Sequence, residues 1–131
     1  RQLTETALSL DRTLFAPHVG CFTSGGIRAR ELREAGVPIL ELGVRSFASM
    51  SAVAGARRMG AYLHEHRIAL VHAWDVPMDL FAVPVARFYR TSVVLASQRA
   101  SFTNALPTSP DFRQPCGPEL IRINGAAAAG A

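Results

Sequence analysis

Residues 68–77, IALVHAWDVP, decide how the rest of the chain is read. From Ile68 to Trp74 every residue but His72 is apolar, and turn chemistry follows at once in Asp75 and Pro77. A short unbroken apolar run of this kind fits a strand buried on both faces, the habit of parallel sheets covered by helices. Ligands of open α/β sheets bind outside the carboxyl ends of the strands. Reading 68–74 as a central strand therefore puts His72, Trp74 and Asp75 where a substrate would be met.

Working outward, the segments on either side alternate. Leu3, Ala7 and Leu10 mark a helical face in residues 1–10, and the periodicity opens at once, without Met, cap or preceding strand, as if the chain began inside an element. Residues 15–23 (FAPHVGCFT) read as a strand that tolerates Pro17 near its start. Ser24, Gly25 and Gly26 turn into a helix over 27–35, with Arg28/Glu31 and Arg30/Glu34 at pairing distance and Gly36 at its end. Residues 37–44 form the next strand, and 50–67 a helix with Val53, Ala56, Gly60 and Leu63 as its inward stripe. Ser49 or Ser51 caps that helix. Beyond the central strand, Asp75 caps a helix over 76–90 that Pro84 should kink, and 91–98 (TSVVLASQ) is a further strand. Alternation of this kind predicts a doubly wound parallel α/β sheet with helices on both faces. From Ala100 onward the pattern fails. Pro107, Pro110, Pro115 and Pro118 forbid a helix or a central strand, 119–123 reads as a short edge strand, and GAAAAGA is a low-complexity tail.

Composition narrows the function classes. At 131 residues the chain is one domain, and its 49% hydrophobic and 18% charged content is that of a globular protein. The net charge of +4 admits anionic partners, but the arginines are scattered and no nucleic-acid reader motif is present. All fourteen basic residues are Arg, a coding bias before it is a demand for guanidinium chemistry. Cys21 and Cys116 match no metal or redox spacing and read as thiols in a reducing compartment. No run approaches the roughly 18 apolar residues of a membrane span, and no signal peptide opens the chain. The expected location is cytoplasmic.

The order RQLTETALSLD, FAPHVGCFTSGG, ELREAGVPILELG, IALVHAWD, TSVVLASQR resembles the amino-terminal domain of the family 4 (group 1) glycosyltransferases of GT-B architecture. Gln2 and Leu3, then Leu32 with Gly36, Val37 and Pro38, then Val71 and His72 match that family's points, and the likeness covers roughly residues 1–100. Three departures accompany it. The family's first strand and its Gly-Gly-x-Glu loop would lie before Arg1. Trp74 stands where the family carries the second His of His-x-His. The donor-binding domain with its Glu-x7-Glu signature is missing. The resemblance implies a partial Rossmann-like domain over 1–100 followed by a Pro-rich tail over 101–131. It would be the acceptor-side piece of a hexosyltransferase, inactive alone, that needs no cofactor. The partners implied are a nucleotide-sugar donor, held mainly by the other domain, and a lipid or glycan acceptor. Peripheral contact at the inner face of the membrane, through Arg57, Arg58 and Arg67, and self-association both remain open. A sheet without its first strand must leave edges unpaired, recruit its own tail or pair with another copy.

The candidate residues follow. His72 and Asp75 would border the interdomain cleft as catalytic residues, the competing reading being a core histidine and a helix cap. Ser24, Gly25, Gly26, Trp74 and Arg99 are candidates for acceptor or phosphate binding. Against this, Ser-Gly-Gly is commonly only a turn, Trp74 a packing residue and Arg99 a surface residue. His64, Glu65 and His66 lack metal spacing, because residues two apart do not share a helical face, and no metal is expected. The rival from another class is a non-catalytic Rossmann-like binding or oligomerisation module. Dinucleotide binding ranks last, for want of G-x-G-x-x-G.

Overall fold

The computed structural model describes residues 2–23, 27–97 and 119–124. Expectations resting on Ser24, Gly25, Gly26, Arg99, Cys116 and the Pro-rich stretch lie outside the described residues. Within them the expected alternation forms: α1 (Gln2–Ser9), β1 (Phe15–Cys21), α2 (Ile27–Glu34), β2 (Ile39–Glu41), α3 (Met50–Glu65), β3 (Leu70–Ala73), α4 (Val76–Phe88), β4 (Val93–Ala96) and β5 (Glu119–Ile123).

The five strands lie in the order β2-β1-β5-β3-β4. β1 runs parallel to β2, and β3 parallel to β4. β5 enters between β1 and β3 and runs antiparallel to both. The sheet is therefore mixed rather than wholly parallel, and 119–123 is an interior strand rather than an edge. The reason is two-sided burial: neighbouring residues of a strand face opposite ways, and both Leu120 (0% exposed) and Ile121 (8%) are buried. Only an interior strand covered on both faces buries both.

Pro17 is buried in β1 opposite Ile121, although proline donates nothing to a ladder. The Val19 N–H points to the β2 side, donating to the Pro38 carbonyl at 2.9 Å. Two residues earlier the Pro17 nitrogen faces the same side, before β2 begins, so no ladder bond is lost.

Helices cover both faces. On one, Leu3 and Ala7 of α1 and Leu32 of α2 pack with Val19, Val37, Ile39 and Trp74. On the other, Met59 and Leu63 of α3 and Met78, Phe81, Ala82 and Ala86 of α4 pack on Leu40, Leu42, Val71, Ala73 and Leu120. The inward stripe of α3 is Gly55, Met59, Gly60 and Leu63, whereas Val53 is 44% exposed. The helix is turned from its expected orientation because it meets the sheet and α4 together. A Cβ at Gly55 would stand 2.5 Å from the Val44 side chain, and one at Gly60 would overlap the Tyr89 ring. Pro84 lies within α4 at an exposed position, so its missing N–H falls on the solvent side. No helix of the described residues is long and apolar enough to cross a membrane.

Three helices end alike. Gly36, Arg67 and Arg90 have φ of 72°, 50° and 58°. The next amide bonds back five residues in each, as Val37 to Leu32, Ile68 to Leu63 and Thr91 to Ala86. These are Schellman terminations, whose left-handed position belongs by preference to glycine. Arginine there costs about 1 kcal/mol.

Because β5 alone joins the two parallel pairs, Leu120→Ala should lower the urea unfolding free energy by about 3 kcal/mol. Leu80→Ala, on the solvent side of α4 at 66% exposure, should change it by less than about 0.5 kcal/mol. Equal effects would contradict the interior placement of β5.

Candidate functional site

The site begins with the alternation of β3. Val71 and Ala73 point into the α3/α4 core, which leaves His72 and Trp74 on the α1/α2 face at the carboxyl end of the strand. β4 lies beside it in register, Leu95 opposite His72 and Ala96 opposite Ala73. One step further, Ser97 donates its amide to the Ala73 carbonyl at 2.9 Å. This register brings the Ser97 hydroxyl to 2.7 Å from His72 Nε2. The Trp74 ring lies against the imidazole, with centroids 4.1 Å apart and planes inclined by 34°.

Burial holds the His72 imidazole below its ordinary value, so it is neutral near pH 7. In the tautomer with Nε2 unprotonated the Ser97 hydroxyl donates to it, and in the other Nε2–H donates to the hydroxyl. A neutral imidazole that exchanges a hydrogen bond with a hydroxyl has the chemistry needed to orient, or accept a proton from, the hydroxyl of a bound molecule. Trp74 has two roles in the structure. Its ring packs on the α1/α2 core, while its buried Nε1 has no hydrogen-bond partner among the described residues. An orphaned indole donor costs stability unless something accepts from it.

Asp75 stands at the N-cap of α4 with extended backbone (φ −148°, ψ 157°), but its side chain makes no capping hydrogen bond. The cap contact of that helix is instead the Asp79 amide donating to the Asp75 carbonyl at 2.8 Å. Ser49 likewise holds the N-cap of α3 without a side-chain cap bond; its hydroxyl donates to the Ser46 carbonyl at 2.9 Å. Of the sequence-derived candidates the structure thus gathers His72, Trp74 and Asp75 at one end of β3. Ser24, Gly25, Gly26 and Arg99 fall outside the described residues. Ser97 is the partner of His72 that the sequence reading passed over. Its signal was that 91–98 reads as the next strand, parallel to β3, so that Ser97 at its end falls on the same side of the sheet as His72, two residues beyond the position opposite it.

A second polar cluster was also missed. His18, buried at 7% exposure in β1, has Nδ1 2.7 Å from the Tyr62 hydroxyl. The His66 ring lies 4.1 Å from Tyr62 and 5.1 Å from His18. Tyr62 and His66 are four apart on α3 and share a face, while His64 lines a different surface, a cleft shared with Tyr89. Burial, then the positive charges of His66 and Arg122, push His18 down to about 4. Burial raises Tyr62, and Glu65 adds to the effect. Among the described residues no group of three His, Cys, Asp or Glu side chains could hold a metal ion.

No protein-family model, curated protein or solved structure matches the chain.

The His18 shift gives a stability prediction whose sign is fixed by linkage. Between its folded value of about 4 and the ordinary imidazole value the unfolded chain binds more protons, so stability rises with pH there. The contribution is complete above about pH 6.5 and is lost as the pH falls toward 4, to a total of roughly 3 kcal/mol at most. Urea unfolding at a series of pH values should show this slope, and His18→Gln should flatten it; an unchanged slope in the variant would assign the pH dependence elsewhere.

Proposed function

We propose that the chain is the acceptor-side, Rossmann-like portion of a retaining-type group 1 glycosyltransferase of GT-B architecture. The observation that carries this reading is the strand order. In a doubly wound sheet the first strand is central, strands two and three lie on one side of it and four and five on the other. Here β1 and β2 lie on one side of the central position and β3 and β4 on the other. The helices agree, α1 and α2 covering one face and α3 and α4 the opposite one. β5 then holds the place that belongs, in the glycosyltransferase domain, to the strand preceding the first helix. The switch point falls beside β3, whose carboxyl end carries His72 and Trp74.

On this reading the acceptor hydroxyl approaches the carboxyl end of β3. Neutral His72, oriented by Ser97, hydrogen-bonds that hydroxyl or a donor phosphate oxygen. Asp75 supplies negative charge nearby, and the Trp74 N–H is a donor in want of an acceptor. Ser24, Gly25, Gly26 and Arg99 contribute to acceptor or phosphate binding. The nucleotide-sugar is held mainly by a second domain, the acceptor is a lipid or a glycan, and the enzyme works in the cytoplasm at or near the inner membrane face. No nucleic acid and no cofactor takes part.

A second reading, an oligomerisation module of the same fold, is favoured by one feature. Among the described residues β4 is an edge strand, on which Val93 is 42% and Leu95 45% exposed, the kind of edge that recruits another chain.

The deciding experiment is to read the coding sequence on both sides of this stretch and to assay the intact product. A Gly-Gly-x-Glu loop upstream and a Glu-x7-Glu domain downstream are expected. In that enzyme His72→Ala should lower kcat/KM about 10²–10⁴-fold, while Leu80→Ala, exposed on α4, should leave it unchanged. Start and stop codons at the present ends, with a concentration-dependent dimer on light scattering, would instead support the module.

A further inference from the structure

The opposite end of the sheet carries a site of its own. α3 and α4 return there to the amino ends of β3 and β4, and between their last turns lies a cleft of about 850 Å³. Leu63 and Ile68 give it an apolar floor, and His64, Arg67, Arg90 and Thr91 give it a polar rim. Gly60 lets the Tyr89 ring close one side, since a Cβ there would overlap that ring.

Two independent observations pick out the arginines. Each holds the left-handed position of its helix termination, at φ of 50° and 58°, where the equivalent residue after α2 is Gly36. A strained backbone at matched places on two neighbouring helices points to a use for the side chains. The second is place: of the several arginines whose guanidiniums make no hydrogen bond or ion pair among the described residues, it is Arg67 and Arg90 that line the cleft. Arg30 pairs with Glu34, Arg28 with Glu31, Arg58 donates to the Glu41 and Leu42 carbonyls, and Arg122 donates to Asn124. The side chains of Arg67 and Arg90 make no hydrogen bond or ion pair among the described residues. Nor do they serve as caps, because the backbone amides of Arg67, Ile68, Arg90 and Thr91 already bond the terminal carbonyls. Two unspent guanidiniums facing one cleft, with an imidazole and a hydroxyl beside them, match the planar bidentate chemistry by which arginine recognises phosphate.

We propose that this cleft binds a phosphate group, carried by a small phosphate ester or pyrophosphate, between the guanidiniums of Arg67 and Arg90. The site is distinct from the His72 end of the sheet and does not depend on the function proposed for it. The apolar floor suits the organic part of an ester, and the phosphate belongs at the rim.

The test is isothermal titration of the intact chain with pyrophosphate at low ionic strength, paired with co-sedimentation on phosphatidylcholine vesicles with and without phosphatidylglycerol. Saturable 1:1 binding is expected, at least about tenfold weaker in Arg67→Gly and in Arg90→Gly, lost in the double variant and unchanged in Arg33→Ala on α2. Glycine suits both backbone positions, so the urea midpoints of these variants should equal or exceed that of the parent, and lost binding could not be lost folding. Arg67→Asn and Arg90→Asn, which also tolerate the left-handed region, should weaken binding alike. Arginine-dependent sedimentation on the anionic vesicles would make a lipid headgroup the source of the phosphate. Pyrophosphate binding without sedimentation would make it a soluble metabolite. Absence of both, or binding that survives the double variant, would overturn the proposal.

Discussion

The insertion of β5 between β1 and β3 is the constraint on which the rest of this structure depends. β1 with β2, and β3 with β4, are two-stranded parallel pairs, and a pair alone is not a stable sheet. β5 bonds to both, Phe15 to Val19 opposite Ile123 to Glu119 on one side and Leu70 to His72 opposite Ile121 to Glu119 on the other. It also brings Leu120 into the α3/α4 core. Removing it would separate the two helical layers as well as the strands, because each layer packs across both pairs. An antiparallel strand can do this work since the ladder needs only alternating donors and acceptors at the right spacing, and either direction supplies them.

The two ends of the sheet then acquire different chemistry from the same connectivity. Strands lead into helices at the carboxyl end, so helix starts and the last strand residues converge there, giving His72, Trp74, Ser97 and Asp75. Helices lead back into strands at the amino end, where terminations converge. Three of these need a left-handed residue, and two of the three are arginines. The amino end beside β3 and β4 thus gathers two arginines, Arg67 and Arg90, on one cleft.

Much of this was legible in the sequence. The eight elements before Ala100 appear close to where periodicity and turn residues placed them, because each has a local signal: Gly36 after α2, Asp75 and Pro77 before α4, the unbroken apolar run of β3. Burying both faces of β3 beneath α1/α2 and α3/α4 follows from that run. The role of 119–123 was not legible. Strand direction and partner are decided by contacts about fifty to a hundred residues away, and five residues preceded by Pro118 carry no mark of a central strand beyond two adjacent apolar side chains. The stripe of α3 was read correctly at Gly60 and Leu63 but not at Val53, for a related reason: Gly55 faces inward because Val44 needs the room, which no window along the helix reveals. His18 and Ser97 escaped notice because their partners are 44 and 25 residues distant.

Trp74 ties the core to the candidate site. Its ring belongs to the cluster of Leu3, Ala7, Val19, Leu32 and Val37 and also lies on the His72 imidazole. A smaller side chain would open a cavity in that layer and release the imidazole from one wall, so packing and site geometry are fixed by the same ring. The orphaned Nε1 of that ring is then informative. A residue serving only to fill space is better supplied by phenylalanine, which buries similar area without a donor to satisfy. An indole at this place, beside an imidazole whose pKa is lowered by burial, keeps a buried donor that no acceptor among the described residues receives.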